Sequence, residues 1–143
     1  MKIEEEIRDR IQPFIEGSGK NMGHALGIEF VTFSREEMKA TMPVNQNTVQ
    51  PMRILHGGAS VALAETLASI GAYLNIREEG KTAVGLEINA NHVRPVPEGG
   101  VVTGVSRPIH RGSQTQVWET RITDQNGKLV SISRCTLAIV KRG

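Results

Sequence analysis

The sequence predicts an α+β domain in which an antiparallel sheet wraps around one long helix. Two observations support this prediction. Residues 58–77 form a run that is apolar on nearly all sides of a helix, which indicates a buried helix. The runs before and after it alternate polar and apolar residues between turn signals, which indicates strands. The predicted order is α-ββ-α-ββββ, and 143 residues fit a single domain spanning 1–143.

The segments before the long helix are predicted as a short helix followed by a hairpin. Ile3, Ile7 and Ile11 recur at helical spacing, which indicates an amphipathic helix that is loosened by Pro13 and closed by Gly17. The predicted ranges are a helix at 2–16, a loop at 16–23, strands at 26–34 and 35–44, and an irregular connection at 45–57.

The segments after the long helix are predicted as four strands. Gly80 is expected to end the helix, and the "DQNG" at 124–127 is a strong hairpin signal. The predicted strands are 82–96, 100–112, 113–124 and 128–142. A long helix among antiparallel strands is the architecture of a hotdog fold. Open sheet edges in so small a domain favour dimers or larger homo-oligomers.

Composition narrows the function classes. The 17 basic and 15 acidic side chains leave a net charge of +2, and aromatic residues make up only 3% of the chain, so no nucleic-acid partner is expected. The single cysteine, Cys135, lies in a strand-like run and is interpreted as a small buried hydrophobe in a reducing compartment. The charged start and the interrupted apolar run predict no signal peptide and no membrane contact. A soluble, cytoplasmic protein is therefore expected.

Glu65 stands alone in the apolar run of the long helix. Its helical neighbours at three and four positions carry no positive charge. In one interpretation it faces solvent on a polar stripe shared with Ser69. In the other interpretation it is a partly desolvated carboxylate, which would be a stronger general base or nucleophile. The Ser69 hydroxyl would then lie one helical turn further on.

The "LHGG" at residues 55–58 precedes this helix. The first-turn N–H groups of a helix have no partner within it, and glycines allow a ligand close to the backbone. Such N–H groups can stabilise an oxyanion, although "HGG" alone is more often a plain turn. An N–H donor at Gly57 and a carboxylate at Glu65, with His56 and Gln50 just upstream, together indicate an acyl-transfer site.

Other chemistries find little support. The four histidines are scattered, and none has a metal-ligand spacing, so neither a metal nor another cofactor is expected. The chain contains no G-x-S-x-G and no P-loop. Two segments place histidine and arginine together near predicted strand ends. They are either solvated charges or a small basic rim for phosphates. The residues concerned are His92, Arg94, Arg107, His110 and Arg111.

Three segments carry a family resemblance: "VQPMRILHGGASVALAETLASIGAYL", "VGLEINANHVRPV" and "VSRPIHRGSQTQVWETRITDQNGKLVSISRCTLAIV". They resemble the hotdog-fold acyl-CoA thioesterases of the phenylacetate-type group. Within that group they are most similar to the members that hydrolyse 1,4-dihydroxy-2-naphthoyl-CoA or proofread enterobactin synthesis. The likeness covers about residues 23–141.

The resemblance implies roles for individual residues. Glu65 corresponds to the family's catalytic carboxylate, and the N–H of Gly57 to its oxyanion donor. Gln50 and His56 would orient the thioester carbonyl or the attacking water, and Ser69 would supply a hydroxyl.

The resemblance also implies an assembly and a ligand surface. Family active sites lie between subunits, usually in a dimer of dimers. The segments expected to bind the CoA pantetheine and phosphates contain His92, Arg94, Arg107, His110, Arg111, Gly112 and Ser113. One departure is Met52-Arg53 after "QP", where relatives usually have an aromatic and a small residue. It places a charge near the expected acyl pocket.

The expected function is hydrolysis of an aromatic acyl-CoA without a metal or redox cofactor, with Glu65 as nucleophile or general base. The preferred substrate is the 1,4-dihydroxy-2-naphthoyl ester of menaquinone synthesis. The alternative is proofreading of aryl carrier-protein or hydroxybenzoyl-CoA esters. A non-catalytic acyl-CoA binding protein would need the basic rim but not Glu65. A hotdog dehydratase would need an HFPG-type loop, which this sequence lacks.

Overall fold

A computed structural model describes residues 1–15 and 20–143. The predicted cap at Gly17 and the first half of the predicted loop at 16–23 lie outside the described residues. The elements in chain order are β1 (Lys2–Ile3), a 3-10 helix (Glu5–Arg10), α1 (Gln12–Ile15), α2 (Met22–Leu26), β2 (Glu29–Phe33), β3 (Met38–Pro43), α3 (Gly57–Leu74), β4 (Lys81–His92), β5 (Val101–Arg111), β6 (Thr115–Thr123) and β7 (Leu129–Lys141).

The strands form one sheet in the order β1-β2-β3-β5-β6-β7-β4. Every pairing is antiparallel except the short parallel one between β1 and β2. The long helix α3 packs against β3, β4, β5, β6 and β7, so the sheet surrounds it on its buried side. The predicted hotdog architecture is confirmed, with all six predicted strands present. Over the described ranges, no helix combines the length and the apolar character needed to cross a membrane.

The core is built on the buried face of α3. Leu63, Leu67 and Leu74 belong to a large cluster with β3, β5 and the N-terminal segment. A second cluster forms where Ala68 and Ala72 meet Trp118 on β6. The indole N–H of Trp118 donates to Gln116 Oε1 at 2.8 Å, and the Gln116 amide donates to the carbonyl of Ala72 at 3.2 Å. The buried polar groups therefore tie β6 to the helix backbone.

The single N-terminal helix predicted at 2–16 is instead divided into β1, the 3-10 helix and α1. Ile3 instead lies in β1, paired with Phe33. Ile7 and Ile11 are buried as their spacing indicated, but in a 3-10 helix and at its end. The cause is a long-range ion pair. The Glu4 carboxylate accepts hydrogen bonds from the backbone N–H of Arg35 at 2.7 Å and from its guanidinium at 2.5 and 2.9 Å, which holds this segment extended beside β2.

The C-terminus of α3 lies at Leu74, three residues before the predicted end at 77. The Asn75 side chain donates to the carbonyl of Gly71 at 2.8 Å, and so competes for a helix-end acceptor. The Arg10 guanidinium donates to the carbonyls of Leu74 and Tyr73 at 3.0 and 2.8 Å. These side chains satisfy carbonyls that have no partner within the helix, so the helix stops before Gly80.

The first predicted strand is also shorter than expected. Residues 22–26 form α2, with the Asn21 side chain accepting the N–H of His24 at its start. Gly27 ends α2 at φ 75°, a left-handed conformation that glycine adopts without strain. Strand β2 therefore begins at Glu29 rather than 26.

A substitution at Gly71 tests the packing of α3 against β6. A Cβ at this position would lie 2.6 Å from the Trp118 ring, which cannot move aside as a flexible chain end could. Alanine favours a helix over glycine by about 1 kcal/mol. Overpacking a core costs about 1–3 kcal/mol. We expect Gly71→Ala to lower the free energy of unfolding measured in urea, and expect the loss to shrink in a Trp118→Phe background. A Gly71→Ala protein more stable than wild type would contradict this packing.

Candidate active site

The N-terminus of α3 carries a free backbone donor. His56 is the N-cap, and its Nδ1 accepts the N–H of Gly58 at 2.8 Å. The His56 carbonyl accepts the N–H of Ala59 at 3.0 Å. No acceptor for the N–H of Gly57 occurs in the part of the chain that the structure describes. The helix dipole favours negative charge at this end, so Gly57 is the first-turn N–H available to an oxyanion.

His92, the last residue of β4, lies against this helix start. A Cβ at Gly57 would be 3.0 Å from His92 Nε2, so the imidazole occupies the space that a side chain at 57 would fill. Sequence reasoning grouped His92 with phosphate-binding residues. The structure places it at the candidate oxyanion site, together with Gly57 and His56.

The loop before α3 holds Gln50 near the same end of the helix. The Gln50 side-chain oxygen accepts the N–H of Met52, and its backbone N–H donates to Ile54 at 2.9 Å. The backbone N–H of His56 donates to Thr48 at 2.8 Å, which ties the loop to the cap. Gln50 and His56 are therefore brought to one end of α3.

Arg53 is part of the same turn and adopts φ 61°. Its guanidinium donates to both carboxylate oxygens of Glu98, at 3.0 and 2.6 Å. The charge that the sequence placed near the acyl pocket is thus paired within the chain. Met52 beside it is 79% exposed.

Glu65 lies two turns further along α3, on its exposed side. Its Oε2 lies over Gly85 of β4, 2.6 Å from where a Cβ would stand at that position. Within residues 1–15 and 20–143, the carboxylate makes neither an ion pair nor a hydrogen bond. Ser69 is half-buried one turn on. In a single chain, Glu65 therefore faces solvent, as the first of the two sequence interpretations held.

One chain separates the carboxylate from the oxyanion donor. Gly57 and Glu65 are eight residues apart, which is about 12 Å along a helix axis. The strand beside them gives a second measure. Gly57 contacts His92 and Glu65 contacts Gly85, and these strand residues are about 20 Å apart along β4. A reacting carbonyl must lie about 3 Å from both groups, so the two cannot serve one thioester within one chain.

The basic residues divide into two groups. His92 of β4 pairs with Ser131 of β7, and this row of paired residues continues across the sheet to Gly104 of β5. Arg111 of β5 pairs with Gln116 of β6, about 20 Å further along the sheet. The single basic rim suggested by the sequence does not form within one chain. The register of four paired strands sets the distance between the two basic groups, and the sequence pattern does not reveal that register.

The second group lies near the C-terminal end of α3. Arg107 pairs with Glu37 at 2.8 Å, and Arg111 pairs with Glu36 at 2.5 Å. The predicted residues His110, Gly112 and Ser113 lie at the same end of β5 and in the turn that follows it.

Arg94 lies at the His92 end of the sheet, near Asp124. The pKa of the Asp124 carboxyl is lowered mainly by the backbone N–H of Lys128, and the charge of Arg94 contributes to the lowering. The structure therefore brings Gln50, His56, Gly57 and His92 together, and leaves the 107–113 segment at the far end.

Cys135 is 2% exposed, which confirms its interpretation as a buried small hydrophobe. Burial raises the pKa of its thiol to about 11, with smaller contributions from the negative charges of Glu65 and Glu87. A thiol that stays protonated at neutral pH is a poor nucleophile. Among the described residues, no group of three or more His, Cys, Asp or Glu side chains is arranged to hold a metal ion.

Gly85 is a site residue that sequence reasoning missed. It lies inside the run "TAVGLEIN", where an isolated glycine in a strand pattern often marks a bulge or a close approach. That signal was present in the sequence, but it did not say which group approaches.

Comparison with known proteins places this chain in a family. A family model described as the thioesterase superfamily matches residues 52–131, more than half of the chain. The 1,4-dihydroxy-2-naphthoyl-CoA hydrolase of Escherichia coli is 49% identical over 124 residues, covering 87% of this chain and 89% of that protein. The proofreading thioesterase EntH of Cronobacter turicensis is 47% identical over 115 residues, covering 80% of this chain and 82% of that protein.

A solved structure agrees with these relatives. The crystal structure of a thioesterase from Haemophilus influenzae matches with a TM-score of 0.84 at 44% identity, covering 92% of this chain and 90% of that one. The chain belongs to the thioesterase superfamily and is a hotdog-fold hydrolase of thioesters. The predicted family and enzyme class are confirmed. Several other relatives are named only as esterases, without a substrate.

The His56 cap can be separated from the His56 imidazole by mutation. Removing an N-cap acceptor costs about 0.5–2 kcal/mol, whereas asparagine is among the best N-caps. We expect His56→Ala to lower the free energy of unfolding in urea by that amount and His56→Asn to retain most of it. Equal losses in the two variants would show that the bond to Gly58 does not stabilise α3.

Proposed function

We propose that the chain hydrolyses aromatic acyl-CoA thioesters, with 1,4-dihydroxy-2-naphthoyl-CoA as the preferred substrate. The observation that carries the proposal is that one helix presents both the N–H of Gly57 and the Glu65 carboxylate, and that neither has a partner among the described residues. An oxyanion donor and a carboxylate nucleophile or base are the two groups that metal-free thioester hydrolysis requires.

The chemistry assigns a role to each group. The Gly57 N–H donates to the thioester carbonyl oxygen as negative charge develops there. A neutral His56 that accepts a hydrogen bond at Nδ1 carries its proton on Nε2, and can donate it to the carbonyl or to a water. Glu65 either attacks the carbonyl carbon, giving a mixed anhydride, or takes a proton from the attacking water. In both routes the C–S bond breaks and CoA leaves as the thiolate. In the first route water then hydrolyses the anhydride, which releases the acid and restores the Glu65 carboxylate. Gln50 orients the carbonyl or the water, and the Ser69 hydroxyl supports the water beside Glu65.

The separation of Gly57 and Glu65 supports a site shared by two copies of the chain. Strand β4 lies at an edge of the described sheet and carries Leu86, which is 62% exposed. Pairing of β4 with the same strand of a second copy would form an isologous dimer, because the two strands are identical and self-complementary. Glu65 lies against β4, so this dimer would carry each carboxylate towards the helix start of the other copy. A dimer of dimers is the assembly that we propose.

The ligand-binding part of the proposal follows the two basic groups. His92 and Arg94 would contact the pantetheine near the thioester. The segment with Arg107, His110, Arg111, Gly112 and Ser113 would meet the phosphates across subunits. A cytoplasmic location is part of the proposal, because the single cysteine is a free, buried thiol that suits a reducing compartment.

A second candidate is proofreading of aryl carrier-protein or hydroxybenzoyl-CoA esters. The similarity to EntH supports it, as does Met52-Arg53, whose exposed methionine differs from the residues usual after "QP". The two candidates share every catalytic group and differ only in the acyl and carrier parts of the substrate. A thiol-release panel of aromatic and aliphatic CoA esters and one aryl carrier protein separates them.

Glu65→Ala tests the catalytic assignment. A positioned general base contributes about 10²–10⁴ to the rate, so we expect kcat on the best substrate of the panel to fall by at least about 10² while the melting temperature changes little. Glu87→Gln is the matched control, because it removes another exposed carboxylate from the adjacent strand, and it should retain activity.

The outcomes of this test discriminate between enzyme and binding protein. Glu65→Ala turning over as fast as wild type would overturn the mechanism. Tight CoA-ester binding by the wild-type chain without any thiol release would favour a non-catalytic binding protein.

A further inference from the structure

Gly85 lies at an irregularity in β4. The pairing of β4 with β7 shifts register between Gly85 and Glu87, so Leu86 is an extra residue on the strand. Such bulges bend a strand and re-aim the side chains around them. Gly85 has no positive φ, so its backbone conformation does not itself require glycine.

A side chain at position 85 would instead meet the Glu65 carboxylate where it now lies. A Cβ there would lie 2.6 Å from Oε2 of Glu65 and 3.7 Å from its Cδ, and, chain neighbours aside, no other atom of the described residues comes within 4 Å. The carboxylate therefore rests directly on the backbone of β4, at a distance that any side chain at 85 would prevent.

No other interaction fixes this carboxylate in the described chain, because it has neither an ion pair nor a hydrogen-bond partner there. The Glu65 charge also contributes to the raised pKa of the Cys135 thiol on β7, of which burial is the main cause. The Glu65 side chain thus lies against β4 through this contact alone.

We propose that Gly85 is a positioning residue for the Glu65 carboxylate: the missing side chain at 85 sets how closely the carboxylate approaches β4, and so where it meets the substrate. The inference rests on the proposed function, because it assumes that Glu65 is the nucleophile or base.

An alanine at 85 has a defined consequence. The atom it would meet is the end of a flexible, exposed side chain, so the carboxylate moves and the backbone does not. Alanine suits a strand at least as well as glycine, so the fold should be retained. A displacement of about 1 Å at a reacting group can cost about 10² in rate.

The experiment compares four enzymes on one substrate: wild type, Gly85→Ala, Glu65→Asp, and the double variant. We expect Gly85→Ala to lower kcat by about 10- to 100-fold, with KM within about twofold of wild type and no fall in melting temperature. Aspartate is shorter by one methylene and does not reach position 85. In the Glu65→Asp background, Gly85→Ala should therefore change kcat by less than about twofold.

Val84→Thr is the matched control, because it changes the adjacent residue of β4 on the opposite face while keeping its shape. It should retain wild-type kcat and melting temperature. Size-exclusion chromatography with light scattering should give the same mass for all variants.

The outcomes separate this inference from the proposed function. If Glu65→Ala is inactive and Gly85→Ala keeps wild-type kcat, the role of Gly85 is wrong and the proposed function stands. If Gly85→Ala lowers kcat equally in the wild-type and Glu65→Asp backgrounds, or lowers the melting temperature or changes the mass, it acts through the fold, and the positioning role is overturned. If Glu65→Ala remains active, the proposed function itself fails.

Discussion

The packing of α3 against five strands fixes the distances on which the chemistry depends. The helix is buried along Leu63, Leu67 and Leu74, and both of its ends are closed by side chains from elsewhere in the chain. His56 satisfies an N–H at the start, and Arg10 satisfies carbonyls at the end. A helix held in this way is a rigid spacer, so the about 12 Å between Gly57 and Glu65 does not adjust to a substrate.

This spacing separates the candidate catalytic groups, with Gly57 at the start of α3 and Glu65 near its middle. The start combines a free N–H, a dipole that favours negative charge and two imidazoles, those of His56 and His92. The exposed side presents a carboxylate that lies against a strand edge. In the mechanism that we propose, the helix start and Glu65 each supply half of a thioester-hydrolysing site. Pairing at the exposed edge of β4 would bring the half-site of one copy to the half-site of another, which is the assembly that we propose.

Most of the fold could be predicted because its signals are local. The apolar run of α3, the alternation in β5 to β7 and the turn at 124–127 each reflect a nearest-neighbour preference. The division of the N-terminal segment could not be predicted, because the ion pair of Glu4 with Arg35 and the pairing of β1 with β2 join distant parts of the chain. Helical spacing correctly indicated that Ile7 and Ile11 are buried, but not the conformation that buries them.

The candidate site was predicted in part for the same reason. Local motifs identified Gln50, His56, Gly57 and Glu65, and a single helix and its preceding loop carry all four. The basic rim depended on register across four strands, and the surroundings of Glu65 depend on what covers an exposed helix face. Neither the strand register nor the covering of the helix face can be inferred from residue spacing along one segment.

Subunit complementation shows whether the oxyanion donor of one copy works with the carboxylate of another. Chains carrying Glu65→Ala and chains carrying Gln50→Ala, each inactive alone, are unfolded together, refolded as a mixture and assayed for thiol release. Random pairing makes half of the dimers mixed, and each mixed dimer then has one intact site. The account predicts recovery to about one quarter of wild-type activity. A mixture that forms mixed dimers yet stays inactive would contradict it.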